Sequence, residues 1–570
     1  IFAGGVVAGG PQAQPSSCDQ TMPPLAARIV AEDALAPPAV GLAGRLVGGA
    51  VMSSFMFGYS ICVLNSCGEL ISVNFEWCGN GWQSDCIASR GSQGLINASV
   101  YLGAALGALL SGRSWFHALG SRTQLVLSDV YFGAGAVICA LSQGVGTLIV
   151  GRFASGLGLG ISAIATPMFV AEISPRERRG SNCAMHGVFI TLGILASIAF
   201  GIPQSPPPSG LGETLAGLDV WYWRGLLGFP LIVSVIQALF FFFVCPVDPP
   251  SLLVARGEMK MARSVLYRTY GMEVPEKMDL NNKRQAALEF QLRDLKEAVD
   301  TAKTIPRIRV IQAMCDPFLR TAVFLGIGLA AFQQLCGING LMAYSNSLFA
   351  DAGIKPSLLT LASTLMASAN VMASIFSSRL VDHWGRRRLL LFGAFCQTVA
   401  MALVTFFIDD RAKAMMPPGT SGPAAVVCFT IFVMSFSFGL GAVTWLYLSE
   451  IYPIEIRGPS LSACGVVNWL ASFIVVFGTR FLTLQSACHV FGMVCFVGLL
   501  GTYVWVIETK GCSMDDSPLT PKSGRGSSPL LTPNSPNIPY KKMLDEEEES
   551  EEEFSLEGAA TAAGGVAARR

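Results

Sequence analysis

Charge is scarce in this 570-residue chain: Asp, Glu, Lys and Arg make up 14%, against about 25% in soluble domains. With 52% of residues in the hydrophobic set, that shortage excludes an ordinary soluble fold, and it excludes disorder over most of the length. Neither sign of charge is in excess, with 39 basic and 39 acidic residues, so the balance gives no footing to nucleic acid. There are only four histidines, and no nucleophile–base set, metal-ligating cluster or phosphate-cradling loop stands out. Neither an enzyme nor a bound cofactor or metal is expected. Sixteen cysteines are too sparse for a disulfide scaffold, and most sit in apolar runs as small packing residues. Cys67, Cys78 and Cys86 are the exceptions, placed close together around the first loop. Two of them can pair if that loop faces an oxidising space.

Long apolar runs dominate the rest. They fall at roughly 46–66, 93–112, 123–146, 147–171, 183–203, 224–246, 321–350, 357–378, 389–408, 424–449, 459–479 and 486–507. Each approaches the length that spans a bilayer as helix, about 20 residues, and a helix satisfies its own backbone in lipid. The expectation is an all-α membrane protein with twelve transmembrane helices in two six-helix bundles. The expected layout is a tail at 1–44, a first bundle at 45–246, a helical linker at 247–317, a second bundle at 318–507 and an acidic tail at 508–570. The chain opens at Ile1, which suits a fragment, a processed chain or a shifted start. In the linker, Leu288, Leu292, Leu295 and Val299 recur at helical spacing between charges, the pattern of a surface helix. The last tail, Ser/Pro-rich and then acidic, reads as disordered and solvated, or as a segment for phosphorylation or a partner.

Basic residues set the orientation. Arg176, Arg178 and Arg179 follow the fourth run, Arg379 and Arg386–Arg388 flank the loop after the eighth, and the linker is richer still. Positive loops stay in the cytoplasm, so both termini and the linker are expected there, with the plasma membrane as the host. Asp129 is the one acid inside a run, seven residues from Arg122, and a structural pairing of the two is expected.

The halves echo each other. Glu172-Ile-Ser-Pro-Arg-Glu-Arg-Arg179-Gly ends the fourth run, and Glu450-Ile-Tyr-Pro-Ile-Glu-Ile-Arg457-Gly ends the tenth. A fainter echo sets His117-Ala-Leu-Gly-Ser-Arg122 against Asp382-His-Trp-Gly-Arg386-Arg387. Parallel six-span repeats mark one class of secondary transporters. Carboxylate–arginine pairs at such positions, Glu172 with Arg179 and Glu450 with Arg457, can clamp the inner ends of two bundles and break in each cycle.

Polar groups inside the runs point to a ligand. The seventh run holds Gln333, Gln334, Asn339 and, further on, Tyr344; Asn370 and Asn468 lie in the eighth and eleventh. Amides offer donors and acceptors together, which suits a neutral polyhydroxyl ligand, and Trp445 of the tenth run can stack on its apolar face. Interhelical hydrogen bonding is the competing reading, favoured for Asn468 taken alone. Gly337 and Gly340 would let the seventh helix bend.

From about residue 45 to 511 the chain resembles the facilitative hexose transporters, the sugar-porter family of the major facilitator superfamily. The resemblance rests on Phe57-Gly58-Tyr59, Gly151-Arg152-Phe153, Pro167-Met-Phe-Val-Ala-Glu172, Gln333-Gln334-Leu335 with Gly337-Ile338-Asn339, Asp382 with Gly385-Arg386-Arg387, Asn468-Trp469 and Glu508-Thr-Lys-Gly511. It implies one sugar site between the halves and alternating access. It also implies contacts to glucose from Gln333, Gln334, Asn339, Asn370 and Trp445, with Tyr344 in an outer gate. Asn468 joins the candidate substrate site, and Glu172, Arg179, Asp382, Arg386, Arg387, Glu450 and Arg457 form the candidate inner gate. The chain also departs from the pattern. Gly187 stands where the family has a sugar-contacting glutamine, beside His186; Ser437 replaces a glutamate; Gly439–Thr444 lack the family's prolines. Pro246-Val-Asp248-Pro-Pro250 replaces a charged motif, which implies a weaker first-half gate. Ala330-Ala331-Phe332 stand where glucose-selective relatives carry Gln-Leu-Ser. The resulting expectation is a uniporter for D-glucose and D-fructose in a lipid bilayer. Ser60, where related symporters carry aspartate, argues against the alternative of a proton–hexose symporter. The remaining alternative, a non-transporting sugar sensor, is opposed by a tail that is short for such sensors.

Overall fold

Twelve helices are long and apolar enough to cross a membrane, by length and composition. A computed structural model describes residues 42–79, 86–175, 178–202, 217–244, 247–275, 282–304 and 308–510. Spans one to six are Leu42–Asn74, Ile87–Ser111, Ser121–Ala140, Val145–Ile173, Arg179–Ala199 and Gly217–Leu239. The seventh begins as Arg320–Leu335; the eighth and ninth are Leu359–Trp384 and Arg386–Ile408. The tenth is Ser421–Phe436 continued by Ala442–Ile451, and Ile454–Thr479 and Leu484–Trp505 complete the set.

Span 4 packs on spans 2 and 3, and span 1 on spans 5 and 6; in the second half, span 9 packs on spans 10 and 12, and span 7 on span 11. Two seams join the halves, span 2 on span 11 and span 5 on span 8. Under a six-span repeat, span 2 corresponds to span 8 and span 5 to span 11, so each seam is the other's copy.

Two spans are interrupted. The seventh breaks at Gly337, whose φ of +97° suits glycine, and resumes as Ile338–Ala343 and Ser345–Asp351. Gly340 does not bend the chain; it lies inside the middle piece, where a Cβ would run into Thr479. The tenth contains a π turn, Ser437–Gly441, in the glycine-bearing stretch that lacks proline. Such turns recur at functional sites.

The first loop carries a disulfide between Cys78 and Cys86. Cys67 stays a buried thiol bonded to the Val63 carbonyl. This end of the molecule is called the disulfide end below, and the other the linker end. In the linker, helices Pro250–Ala255, Met259–Thr269 and Lys283–Thr304 pack on one another. Leu288 and Leu292 are buried there, and Leu295 and Val299 pack beside Leu292, so the helical spacing does mark the inward face. Arg263 ties two of these helices through Glu289 at 2.6 Å.

All but three residues of each expected tail lie outside the described residues. The exception at 508–510 is informative, because Glu508, Thr509 and Lys510 are bound rather than loose. Glu508 accepts from the backbone N–H groups of Arg386 and Arg387 at the head of span 9, where the helix presents free donors. Lys510 Nζ donates to the His383 carbonyl.

Candidate functional site

The broken seventh span and the eleventh share a chain of amides. Asn339 Nδ2 donates to Gln334 Oε1 at 2.7 Å and to Ser472 Oγ at 3.3 Å. Gln334 Nε2 donates to Asn468 Oδ1 at 3.2 Å, and Asn468 Nδ2 to Gln333 Oε1 at 2.8 Å. Gln333 Nε2 ends the chain on the Leu440 carbonyl at 2.9 Å. That carbonyl lies in the π turn of span 10, where the ordinary helical ladder is interrupted. Gln333, Gln334 and Asn468 are buried, while Asn339 is half-buried. Burial explains the closure, since unpaired amides in an apolar bundle are costly. It also means that a ligand here must trade bonds with the network, which hydroxyl groups can do as donor and acceptor at once.

Asn370 of span 8 is also buried and is met by the hydroxyl of Ser437, the residue in the glutamate position. Trp445, two turns further along span 10, keeps 38% of its surface open. Gly187 on span 5 leaves room: a Cβ there would meet only the Ser374 hydroxyl, at 3.9 Å. Its neighbour His186 shares a 2.7 Å hydrogen bond with Ser54 of span 1.

At the disulfide end the halves are stitched by Asn65 of span 1. Its Nδ2 donates to Ser345 Oγ at 3.0 Å, and Oδ1 and the backbone carbonyl accept from Asn346 at 3.1 and 3.2 Å. Tyr344, just before, is buried under the Arg480 guanidinium, 5.5 Å from the ring centroid. The eleventh span approaches span 1 through Trp469 and Phe57, with ring centroids 5.6 Å apart. Sequence reasoning missed Asn65; the available signal was an asparagine inside a charge-free run.

At the linker end the charged residues form two knots, one in each half. In the first, Ser121 and Ser251 donate to Glu172 at 2.7 and 2.9 Å. Arg122 donates to the Phe241 carbonyl and meets Asp248 at 3.3 Å, and Asp248 also meets Arg256. In the second, Arg386 grips Glu450 at 2.9 Å and Thr509 donates to the same carboxylate. Arg387 donates to the carbonyls of Val506 and Tyr503. Glu172 thus takes hydroxyls and Glu450 takes Arg386, where pairings with Arg179 and Arg457 were expected. Arg179 stands exposed at the head of span 5, and Arg457 Nε donates to the Tyr452 carbonyl. The Asp382 side chain lies outside the described residues. Asp248 keeps two arginines, so the altered motif after span 6 is less depleted than its sequence suggests.

Arg122 is therefore not Asp129's partner. Asp129 is buried, and neither carboxyl oxygen has a hydrogen-bond partner among the described residues. Arg152 in span 4 is also buried, with Nε and Nη2 unpartnered, among Cys62, Cys67, Tyr101 and Cys139.

The family model described as sugar (and other) transporter matches residues 47–518. The chain belongs to that family. This sugar transporter is 31% identical over 542 residues to hexose transporter 1 of Toxoplasma gondii, covering 92% of each chain. Plastidic glucose transporter 4 of Arabidopsis thaliana is 31% identical over 484 residues, covering 84% of this chain and 80% of its own. Among solved structures, the major facilitator superfamily proton:xylose symporter bound to 6-bromo-6-deoxy-D-glucose superposes with a TM-score of 0.64 at 21% identity, over 83% of this chain and 98% of that one. The inward-open xylose transporter of E. coli superposes with a TM-score of 0.65 at 20% identity, over 83% and 98%. The architecture is the major-facilitator fold, in two six-helix bundles. The transporter is an integral membrane protein that moves sugar, and it is not an enzyme.

Proposed function

We propose that the transporter is a facilitative hexose uniporter working by alternating access around the amide chain, with D-glucose and D-fructose among its substrates. The observation that carries this reading is the network Ser472–Asn339–Gln334–Asn468–Gln333, uncharged throughout and open to one side at Asn339. A neutral polyol can replace these bonds one for one; a charged substrate would bring an unmatched charge into the bundle. The names of the relatives in Toxoplasma and Arabidopsis support hexose as the class. Gln333, Gln334, Asn339, Asn370, Trp445 and Asn468 are the substrate set in this reading, with Tyr344 and Asn65 in the gate at the disulfide end. The two knots, with Arg179 and Arg457 nearby, form the gate at the linker end. Positive loops support a cytoplasmic linker end and cytoplasmic termini in this reading, with the plasma membrane as the proposed host. The conformation described here is then sealed at the disulfide end by Asn65.

Uniport is favoured over proton symport by where the acids sit. Position 60 in span 1 is a buried serine, not an acid, and Asp129 lines the flank between spans 3 and 6 rather than the amide chain. Tracer glucose in proteoliposomes should equilibrate without accumulating under an inward proton gradient. Accumulation that disappears in Asp129→Asn overturns uniport. For selectivity, Gly187→Gln should restore a missing amide beside Ser374 and sharpen glucose over fructose by about tenfold, one directional hydrogen bond at ~1.4 kcal/mol. Competition uptake reads this directly, and equal inhibition by fructose before and after the change refutes the assignment.

A further inference from the structure

His186 of span 5 has one ring nitrogen committed and the other open. Nδ1 shares its hydrogen bond with Ser54 Oγ of span 1 at 2.7 Å. Nε2 has no partner among the described residues and is not sealed away, since the residue is half-buried. Protein surrounds His186 on all sides, so its open surface belongs to the interior of the molecule and not to a lipid face. Its position is rigid. A Cβ on Gly58 would collide with the Ile190 carbonyl, and one on Gly193 with the Phe55 carbonyl, so spans 1 and 5 meet backbone to backbone just beyond the histidine. Phe57 packs on the His186 ring, with centroids 6.3 Å apart, and also on Trp469, which follows Asn468 of the amide chain. Across the seam, a Cβ on Gly187 would meet the Ser374 hydroxyl of span 8. Ser374 is half-buried and lies one helical turn from Asn370.

We propose that His186 is the sugar contact of the first bundle, its Nε2 binding one hydroxyl of the hexose opposite the amide chain. The assignment rests on the hexose reading and adds a residue to that site. Gln333, Gln334, Asn339, Asn370, Trp445 and Asn468 all belong to the second bundle. Contacts confined to one rigid bundle are the same whichever way the other rocks, and a ligand shifts a conformational equilibrium only through contacts that differ between its states. A sugar that drives alternation therefore needs a hold on the first bundle, and Gly187 supplies none. His186 does, in either tautomer. If Nδ1 accepts from Ser54, Nε2 carries the proton and donates; if Nδ1 donates, Nε2 accepts. A sugar hydroxyl answers both. Ser54 fixes the ring, so Nε2 is presented in one direction, as discrimination among hydroxyl positions requires.

The test is tracer D-glucose uptake by the full chain in proteoliposomes, competed by a panel of singly deoxygenated D-glucoses. His186→Phe keeps a ring against Phe57 and removes both nitrogens. It should raise the half-saturating glucose concentration about tenfold, the factor supplied by ~1.4 kcal/mol. One analogue in the panel should bind the wild type about tenfold more weakly than glucose and bind His186→Phe as well as glucose does, because the same hydrogen bond is removed from either side. The other analogues should keep their rank in both proteins. His186→Gln, with an amide of similar reach, should restore the discrimination. Ser54→Ala keeps the nitrogen but frees the ring, and should give the same analogue-specific loss in smaller measure, which carries the test if His186→Phe does not assemble. A fall in maximal rate with half-saturation and the analogue ranking unchanged would mean that His186 only ties span 5 to span 1, and overturns the assignment alone. A wild type that takes up no hexose overturns the hexose reading, and this assignment with it.

Discussion

At the linker end of the first bundle a glutamate is held by two hydroxyls; at the same place in the second, by an arginine fork and one hydroxyl. The frames match closely. Gly120 and Gly385 both take φ of +86° and launch spans 3 and 9. The residue after each glycine, Ser121 or Arg386, reaches the glutamate that ends span 4 or span 10. The next residue, Arg122 or Arg387, donates to carbonyls at the end of span 6 or span 12. The repeat has kept the backbone turn and the carboxylate while exchanging the donor. The difference lies in where the first knot draws its support. With serine in the arginine's place, it leans on the linker through Ser251, Asp248 and Arg256. The second leans on the segment that follows span 12.

The comparison breaks most visibly at Arg386. Its side chain and that of Glu450 are 13% and 11% exposed, and removing one member of a nearly buried pair leaves the other charge unmatched. Arg386→Ala should therefore destabilise the protein by about 3 kcal/mol, read as a lowered unfolding midpoint in detergent. A change below about 0.5 kcal/mol would mean that water replaces the arginine and the pair is only a surface contact.

The first knot should respond less. Ser121→Ala deletes one hydroxyl from Glu172 and leaves Ser251, for a cost of about 1 kcal/mol. Ser121→Arg tests the correspondence directly, by building the second knot's chemistry into the first. It should match or exceed the wild-type midpoint. If it destabilises more than Ser121→Ala, the two frames differ in shape as well as in donor.

The twelve spans were legible because burying a helix in lipid demands a long apolar run, and few other constraints write so plainly. The E-I-x-P-x-E-x-R-G echo disclosed the symmetry of the knots. It did not disclose their partners, because Glu172 and Glu450 reach across to the heads of spans 3 and 9 rather than along their own loops. Leu288 and Leu292 show what periodicity does reach, a buried face within one element. Asn65 and the Asp248 bridge show what it does not reach, contacts set only once helices are packed. The amides of the seventh span were visible as polar residues in an apolar run. Their closure into one chain depends on the break at Gly337 and on the carbonyl of Leu440, and a composition-based reading gives neither.

The smallest expected effect concerns Glu508, which caps span 9 beside the second knot and, among the described residues, has no charged counterpart at Gly120, where a Cβ would meet Leu252 instead. Burial pushes its carboxyl up, but hydrogen bonds from the backbone N–H groups of Arg386, Lys510, Arg387 and Thr509 outweigh that and hold it below the usual glutamate range. A carboxyl depressed in the folded state adds stability above its unfolded value, about 4.3, and loses it as pH falls through the folded value. The group is largely open to water, so the effect is local. Hydrogen exchange at the amides of Arg386, Arg387 and Thr509, corrected for intrinsic rate, should accelerate as pH falls below the ordinary glutamate range. In Glu508→Gln the same amides should exchange faster at neutral pH and show no further acid step, because the amide oxygen still accepts but no longer titrates. The head of span 3 should show no such step in either protein. An acid transition at both heads would place the titrating group elsewhere, in Glu172 and Glu450 themselves, and would make the two knots alike in the one property by which Glu508 sets them apart.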